Sequence, residues 1–257
     1  MANLNKQTQY GNSVDARSDI DQGLRSYMLS VYNYMAIGLA ITGIAAYTIF
    51  SLAVANDPAQ AVGQFGNGVY LTAIGAALWT GPLKWVLLLA PLGLVFFLSF
   101  RVHKMSVPAA QLTFWVYAAL VGISLSSILA IYTGQSVVQT FFVTAAAFGS
   151  LSLFGYTTKR DLSGMGSFLI MGLFGIIIAS IVNLFLASSA LEFAVSVLGV
   201  LIFAGLTAYD TQKIKEMYLE SDDATSQGRK AIMGALSLYL DFINMFLFLL
   251  RFMGNRE

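Results

Sequence analysis

The stretch MSVPAAQLTFWVYAALVGISLSSILAIYTGQSVVQTFFVTAAAFGSLSLFGYTT (105–158) runs for 54 residues without one Asp, Glu, Lys or Arg. A helix needs about 20 apolar residues to cross the hydrocarbon of a bilayer, so this stretch holds two crossings. Thr133-Gly134-Gln135-Ser136 supplies the turn between them. Outward from it the pattern repeats: residues 26–56, 58–83 and 162–191 are also free of charge. Composition agrees, with 57% hydrophobic and 11% charged residues and a mean hydropathy of +0.72, whereas a water-soluble domain carries about 25% charged residues.

These breaks predict an all-α polytopic membrane protein with seven transmembrane helices, at 29–52, 84–100, 111–132, 137–158, 168–187, 191–212 and 232–252. Residues 1–25 read as a flexible polar tail, 26–253 as the membrane domain and 254–257 as a short C-terminal tail. VYLTAIGAALW (69–79) is apolar but too short to span, and is expected as an interfacial or partly inserted helix. Lys and Arg collect on the cytoplasmic side of membrane proteins. With the N-terminus inside, eleven of them fall in inner segments, and Lys84, Arg251 and Arg256 remain outside. That bias places the N-terminus in the cytoplasm and the C-terminus outside, unless the last helix enters and returns.

The same residues narrow the chemistry. Net charge +1 without a basic stripe gives no nucleic-acid surface. There is no Cys, and the one His is His103, so thiolate and zinc sites have no ligands. No phosphate loop and no Ser–His pairing occurs, so neither a cofactor nor enzyme activity is expected. Trp79, Trp85 and Trp115 lie near predicted helix ends, where indoles anchor to the interface. Small residues four apart, Ala118-Gly122-Ser126 and Ala145-Gly149, suit close helix contact.

Two acids stand apart from the tails and loops. Asp210 lies near the inner end of the sixth span and Asp241 well inside the seventh, about 13 Å along it at 1.5 Å per residue. An acid in mid-membrane costs roughly 2.5–3.5 kcal/mol on insertion scales. The neighbouring spacing offsets that cost. Gly234, Ser237, Asp241 and Asn244 share one face of the seventh span, as Ser196, Gly199, Thr207 and Asp210 do on the sixth. Two polar stripes, each with one acid, face the bundle interior. Two carboxyls close together in a poorly solvated place cannot both ionise cheaply, so they share a proton and titrate as a unit. Arg101, at the inner end of the second span, is the arginine best placed to answer their charge. Three roles fit the pair on these grounds alone: bundle-holding hydrogen bonds, ion or proton handling, and solute binding.

GLTAYDTQKI (205–214) and ALSLYLDFINMFLFLLR (235–251) resemble the two signature blocks of the Bax inhibitor family, the seven-helix transmembrane Bax inhibitor motif proteins with YccA-like bacterial members. GYTTKRDLSGMGSFL (155–169) resembles the block between that family's fourth and fifth helices. The resemblance covers about residues 25–253. It implies six helices arranged around a central C-terminal helix. It also implies a pH-sensing role for Asp210 and Asp241 beside a calcium leak pathway, and a gating role for Arg101. One departure stands out: WVLLLAPLGLVFF (85–97) lacks the acid that some members carry in the second helix.

The leading expectation is therefore a pH-sensitive cation (calcium) leak channel in a bacterial inner membrane, with Asp210 and Asp241 as transient calcium ligands. Calcium takes 6–8 oxygens, more than two carboxylates with Ser196, Thr207, Ser237 and Asn244 nearby can close around it, so passage fits better than storage. The alternative is an interaction protein that modulates a membrane-bound AAA+ protease, gripped by its N-terminal tail. Membrane lipids and that protease complex are the expected partners, nucleic acid is not, and the sequence leaves the oligomeric state open, with a monomer plausible. A solute transporter needs internal repeats, which the halves do not show.

Overall fold

The computed structural model describes residues 2–66 and 68–255, with side chains from residue 22 onward. In chain order the elements are α1 (Ala2–Ala53), a hairpin of β1 (Gly63–Phe65) and β2 (Val69–Leu71), the short α2 (Ala73–Gly75), α3 (Leu83–Arg101), α4 (Val107–Leu125), α5 (Gly134–Thr157), α6 (Ser163–Leu186), α7 (Ser189–Glu216) and α8 (Ala224–Met253). Seven of the helices among the described residues are long and apolar enough to cross a membrane, the first from Gln22 to Ala53. The backbone of α1 continues back to Ala2, through the segment expected as a flexible tail. The side chains of 1–21 lie outside the described residues.

Local chemistry sets the helix starts. Ser106, Thr133, Ser188 and Asp223 each turn a side-chain oxygen onto an amide in the first turn of the helix that follows. The apolar runs then extend until polar loops stop them.

α8 is the centre of the bundle. It packs directly on α7, α1, α5 and α4, and half of its most apolar stretch is buried. α3 and α6 stand one step further out and lean chiefly on α4 and α7. The expected arrangement of six helices around a central C-terminal one thus holds, with an inner four and an outer two. The Tyr239 hydroxyl bonds Thr42 at 2.6 Å, and Thr42 lies 2.9 Å from the Ala118 carbonyl, which ties α8, α1 and α4 at one point. Gly122 lets α4 approach α1 so closely that a Cβ there would meet the Thr42 backbone.

Three expectations are corrected. Residues 69–79 are not a helix throughout: Val69, Tyr70 and Leu71 pair with Phe65, Gln64 and Gly63 as an antiparallel hairpin. Gly66 and Gly68, at φ 57° and 99°, make its reversal in a region that L side chains avoid. Trp79 is not an interface anchor. It is buried against Ala53, Leu71 and Ala130, and its indole donates to the Ser126 hydroxyl at 3.1 Å. The Ala145-Gly149 pair does not serve a helix contact at its glycine, because a Cβ on Gly149 would meet nothing within 4 Å. Trp85, by contrast, is exposed beneath Lys84 as an anchor should be.

The loops fall at two ends. At one, Arg229 of α8 donates to the Met105 carbonyl at 2.7 Å, and Lys230 bonds the Met217 carbonyl and Asp222. Gln212 holds the α5–α6 loop there through Arg160 and Leu162, both at 2.8 Å. At the other end the Asn255 amide donates to Ser136 and its carbonyl accepts from Thr133, each at 3.0 Å. The last helix therefore runs the full depth of the bundle and does not turn back.

Candidate functional site

Gly234, Ser237, Asp241 and Asn244 recur at three and four along α8, and the structure turns that face toward α6 and α7. Gly234 admits the Ile214 side chain of α7, and Gly199 of α7 admits the Phe248 ring of α8. A side chain at either position would press on those neighbours and work against the α7–α8 contact. The α7–α8 contact is close along its length.

Beside it lies a cavity of about 640 Å³, lined by α6, α7 and α8. Asp210 and Lys213 enter it from α7, Ser237, Asp241 and Asn244 from α8, and Ile170, Ile176 and Ile177 from α6. Asp241 is 4% exposed, and its Oδ2 has no hydrogen-bond partner among the described residues. Asp210 is half-buried. The two carboxyls are near enough to act on each other electrostatically. Asn244 donates its amide to the Leu240 carbonyl at 2.8 Å. The α6 side of the cavity is mostly isoleucine and brings no charged group, with Ser180 as its one polar side chain.

The structure thus brings together Asp210, Asp241, Ser237 and Asn244, and it does not bring Ser196, Thr207 or Arg101. Ser196 is buried nearer the other end of α7, and its hydroxyl donates to the Glu192 carbonyl. Thr207 is fully buried, bonded to the Phe203 carbonyl. Arg101 is exposed at the end of α3, which packs on α4 and away from α7. Among the described residues the ion pair is Lys230–Asp222, and Arg101 forms none. His103 is exposed in the turn after α3.

The cation that does sit with the acids is Lys213, one turn beyond Asp210, and its charge acts on that carboxyl. The spacing Asp-x-x-Lys, which puts both on one helical face, is the signal that identifies it in the sequence. A second feature has no such signal. Tyr32 of α1 bonds Ser152 of α5 at 2.6 Å, and Ser152 bonds Thr211 of α7 at 2.9 Å, a chain of hydroxyls ending next to Asp210. No group of three or more His, Cys, Asp or Glu gathers among the described residues, so the oxygens available to a cation are the two carboxyls and their polar neighbours.

Acids at the loops are differently placed. The Ser163 amide donating to Asp161 at 2.8 Å holds that carboxyl below its ordinary value. Hydrogen bonds from Ser226, side chain first, do the same for Asp223.

The family described as inhibitor of apoptosis-promoting Bax1 matches residues 24–257. The inner membrane protein YbhL of Escherichia coli K12 is 47% identical over 237 residues, covering 91% of this chain and 94% of YbhL. An uncharacterized protein of Rickettsia prowazekii is 48% identical over 238 residues, covering 92% of each chain. An uncharacterized membrane protein of Streptococcus pyogenes is 35% identical over 237 residues, covering 92% of this chain and 96% of its own. The chain belongs to the Bax inhibitor family.

Proposed function

We propose that this member of the Bax inhibitor family is a pH-sensitive cation leak of a bacterial inner membrane, with calcium among its ions and Asp210 and Asp241 as its gate. The observation that carries the reading is the meeting of both carboxyls in one cavity within the membrane domain, with Asp241 Oδ2 left unpartnered. An acid is expensive there, and two acids with a shared outlook offer a cation a binding point or hold a proton between them. Change of pH changes which of these they do.

The site also has somewhere to lead. The cavity shares Ser180 and Ile181 with a second one of about 800 Å³, which extends to Glu192 and Arg251 near the opposite end of the bundle. Lys213, the acid pair, the shared pair Ser180 and Ile181, and Glu192 then mark a route along the gap between α6 and α8. Calcium normally takes 6–8 oxygens; Asp210, Asp241, Ser237 and Asn244 together carry six side-chain oxygens at most, the bottom of that range, which suits transit. The name of YbhL places that relative in the inner membrane, and the positive-inside rule orients the chain with Lys213 toward the cytoplasm.

The test is ion flux through the purified protein in liposomes, across pH 5–8, with calcium, sodium, potassium and protons offered separately. Cation flux that varies with pH supports the reading. A protein that passes no cation at any pH overturns it.

A further inference from the structure

α1 and α5 both pack on α8, yet between them they leave a groove that shares no lining residue with the cavity of the acids. Its inner half is a cavity of about 720 Å³ and its outer half one of about 490 Å³. The walls are apolar, and the outward-facing Leu29, Leu153, Val138 and Phe142 are all more than half exposed, so the groove opens sideways to lipid. Gly43 and Gly149 face into it with no atom within 4 Å of where a Cβ would stand. Among the described residues that line the inner half, the one charged group is Arg25, at its end.

Length and charge together select an occupant. From Arg25 to Ala36, the span of the inner cavity on α1, eleven residues at 1.5 Å rise cover about 16 Å, close to half of the roughly 30 Å hydrocarbon core. That is the depth of one leaflet. A cation at the headgroup level above an apolar slot one leaflet deep matches an anionic phospholipid, as basic pockets between membrane helices do on the cytoplasmic side. An extended peptide segment would bring backbone donors and acceptors that this apolar wall cannot satisfy.

We infer that the inner half of the α1–α5 groove is a binding site for an anionic phospholipid, with one acyl chain lying against Met35, Phe148 and Gly149 and the phosphate at Arg25. Tyr32 and Ser152 form part of its floor, and their hydroxyls are already bonded to each other and on to Thr211, so the chain meets a satisfied surface. The site is separate from the acid pair, and it stands whether or not the protein conducts ions.

Native mass spectrometry of the purified protein tests it, with phosphatidylglycerol and phosphatidylcholine of identical chains as probes. The wild type should retain one phosphatidylglycerol at least tenfold better than phosphatidylcholine. Gly149→Leu, which puts a side chain into open groove, should lower retention of both lipids tenfold while leaving the thermal midpoint in detergent unchanged. Arg25→Gln should erase the preference between headgroups and keep a bound chain. Ala36→Leu fills the same slot from the opposite wall and decides the matter if the Gly149 variant does not fold. Gly43→Leu, in the outer half, should leave phosphatidylglycerol retention as in wild type. Equal retention of the two lipids by the wild type overturns the headgroup assignment. Undiminished retention in a folded groove-filling variant overturns the site.

Discussion

Asp241 carries the shortest argument in the molecule from residue to function, because a buried carboxylate oxygen without a partner is costly unless it is used. Asp241→Asn keeps size and hydrogen bonding while removing ionisation. It should insert and fold normally yet lose the pH dependence of liposome flux between pH 5 and 8; a wild-type response would remove Asp241 from the gate. Lys213 supports a second prediction. It shares the cavity with the acids, whereas Arg101 lies on the exposed end of a helix that packs elsewhere. Lys213→Gln should therefore shift the flux midpoint more than Arg101→Gln does. A larger effect from Arg101 would show that α3 swings toward α7 in another state of the bundle. The acids were legible in the sequence because charge inside an apolar run stands out. Lys213 is easily passed over despite its Asp-x-x-Lys spacing, since a lysine at a helix end reads as one more topology charge. The distance of Arg101 from the acids in this arrangement was not legible for a related reason: nothing in α3's own sequence says which neighbour it leans on.

At the scale of elements, glycines divide into those that hold helices together and those that do not. A Cβ on Gly155 of α5 would collide with the Ala208 carbonyl of α7, a backbone atom that cannot step aside. Gly155→Ala should cost about 1–3 kcal/mol, as overpacking does, and lower the thermal midpoint in detergent. Gly175→Ala on α6 meets nothing within 4 Å, and should be neutral or stabilise by up to about 1 kcal/mol through helix propensity. A similar loss in both variants would mean that the α5–α7 contact is not set by Gly155. The N-terminal cap of α8 gives a pH prediction with a definite sign. Hydrogen bonding lowers the Asp223 carboxyl below its ordinary 3.8. Its stabilising contribution is therefore complete above that value and is lost only as pH falls below it. Protection of the Thr225 and Ser226 amides from hydrogen exchange should hold from pH 7 to 5 and fade toward pH 3, with Asp223→Asn flattening the change. Loss of protection already at pH 6 would contradict the cap. The long helices were legible through their uncharged runs, but the hairpin at 63–71 was not. Apolarity hid an alternation only three residues long, and the two glycines that reverse the chain looked like a simple boundary.

At the scale of the whole molecule, the distribution of Lys and Arg gives an orientation to test. The chain has no Cys, so single cysteines can report on each end without background. Gln60→Cys, exposed between α1 and the hairpin, should react with a membrane-impermeant maleimide in spheroplasts. Glu220→Cys, exposed between α7 and α8, should react only after lysis. The reverse pattern would overturn the cytoplasmic placement of the N-terminus. Seven crossings and a central last helix were legible from segment count and from the resemblance together. The inner four and outer two were not, because that order depends on contacts between distant segments. The tie of Asn255 to Thr133 and Ser136 gives the bundle unequal mechanical ends. Traction applied beyond Asn255 first breaks those two anchors and then drags α8 from between α1, α4, α5 and α7, so the centre goes and the assembly fails in one event. Traction on α1 peels a wall helix and can leave the rest standing. An unfolding motor would thus feel one abrupt yield from the C-terminal end and a graded series of smaller ones from the other.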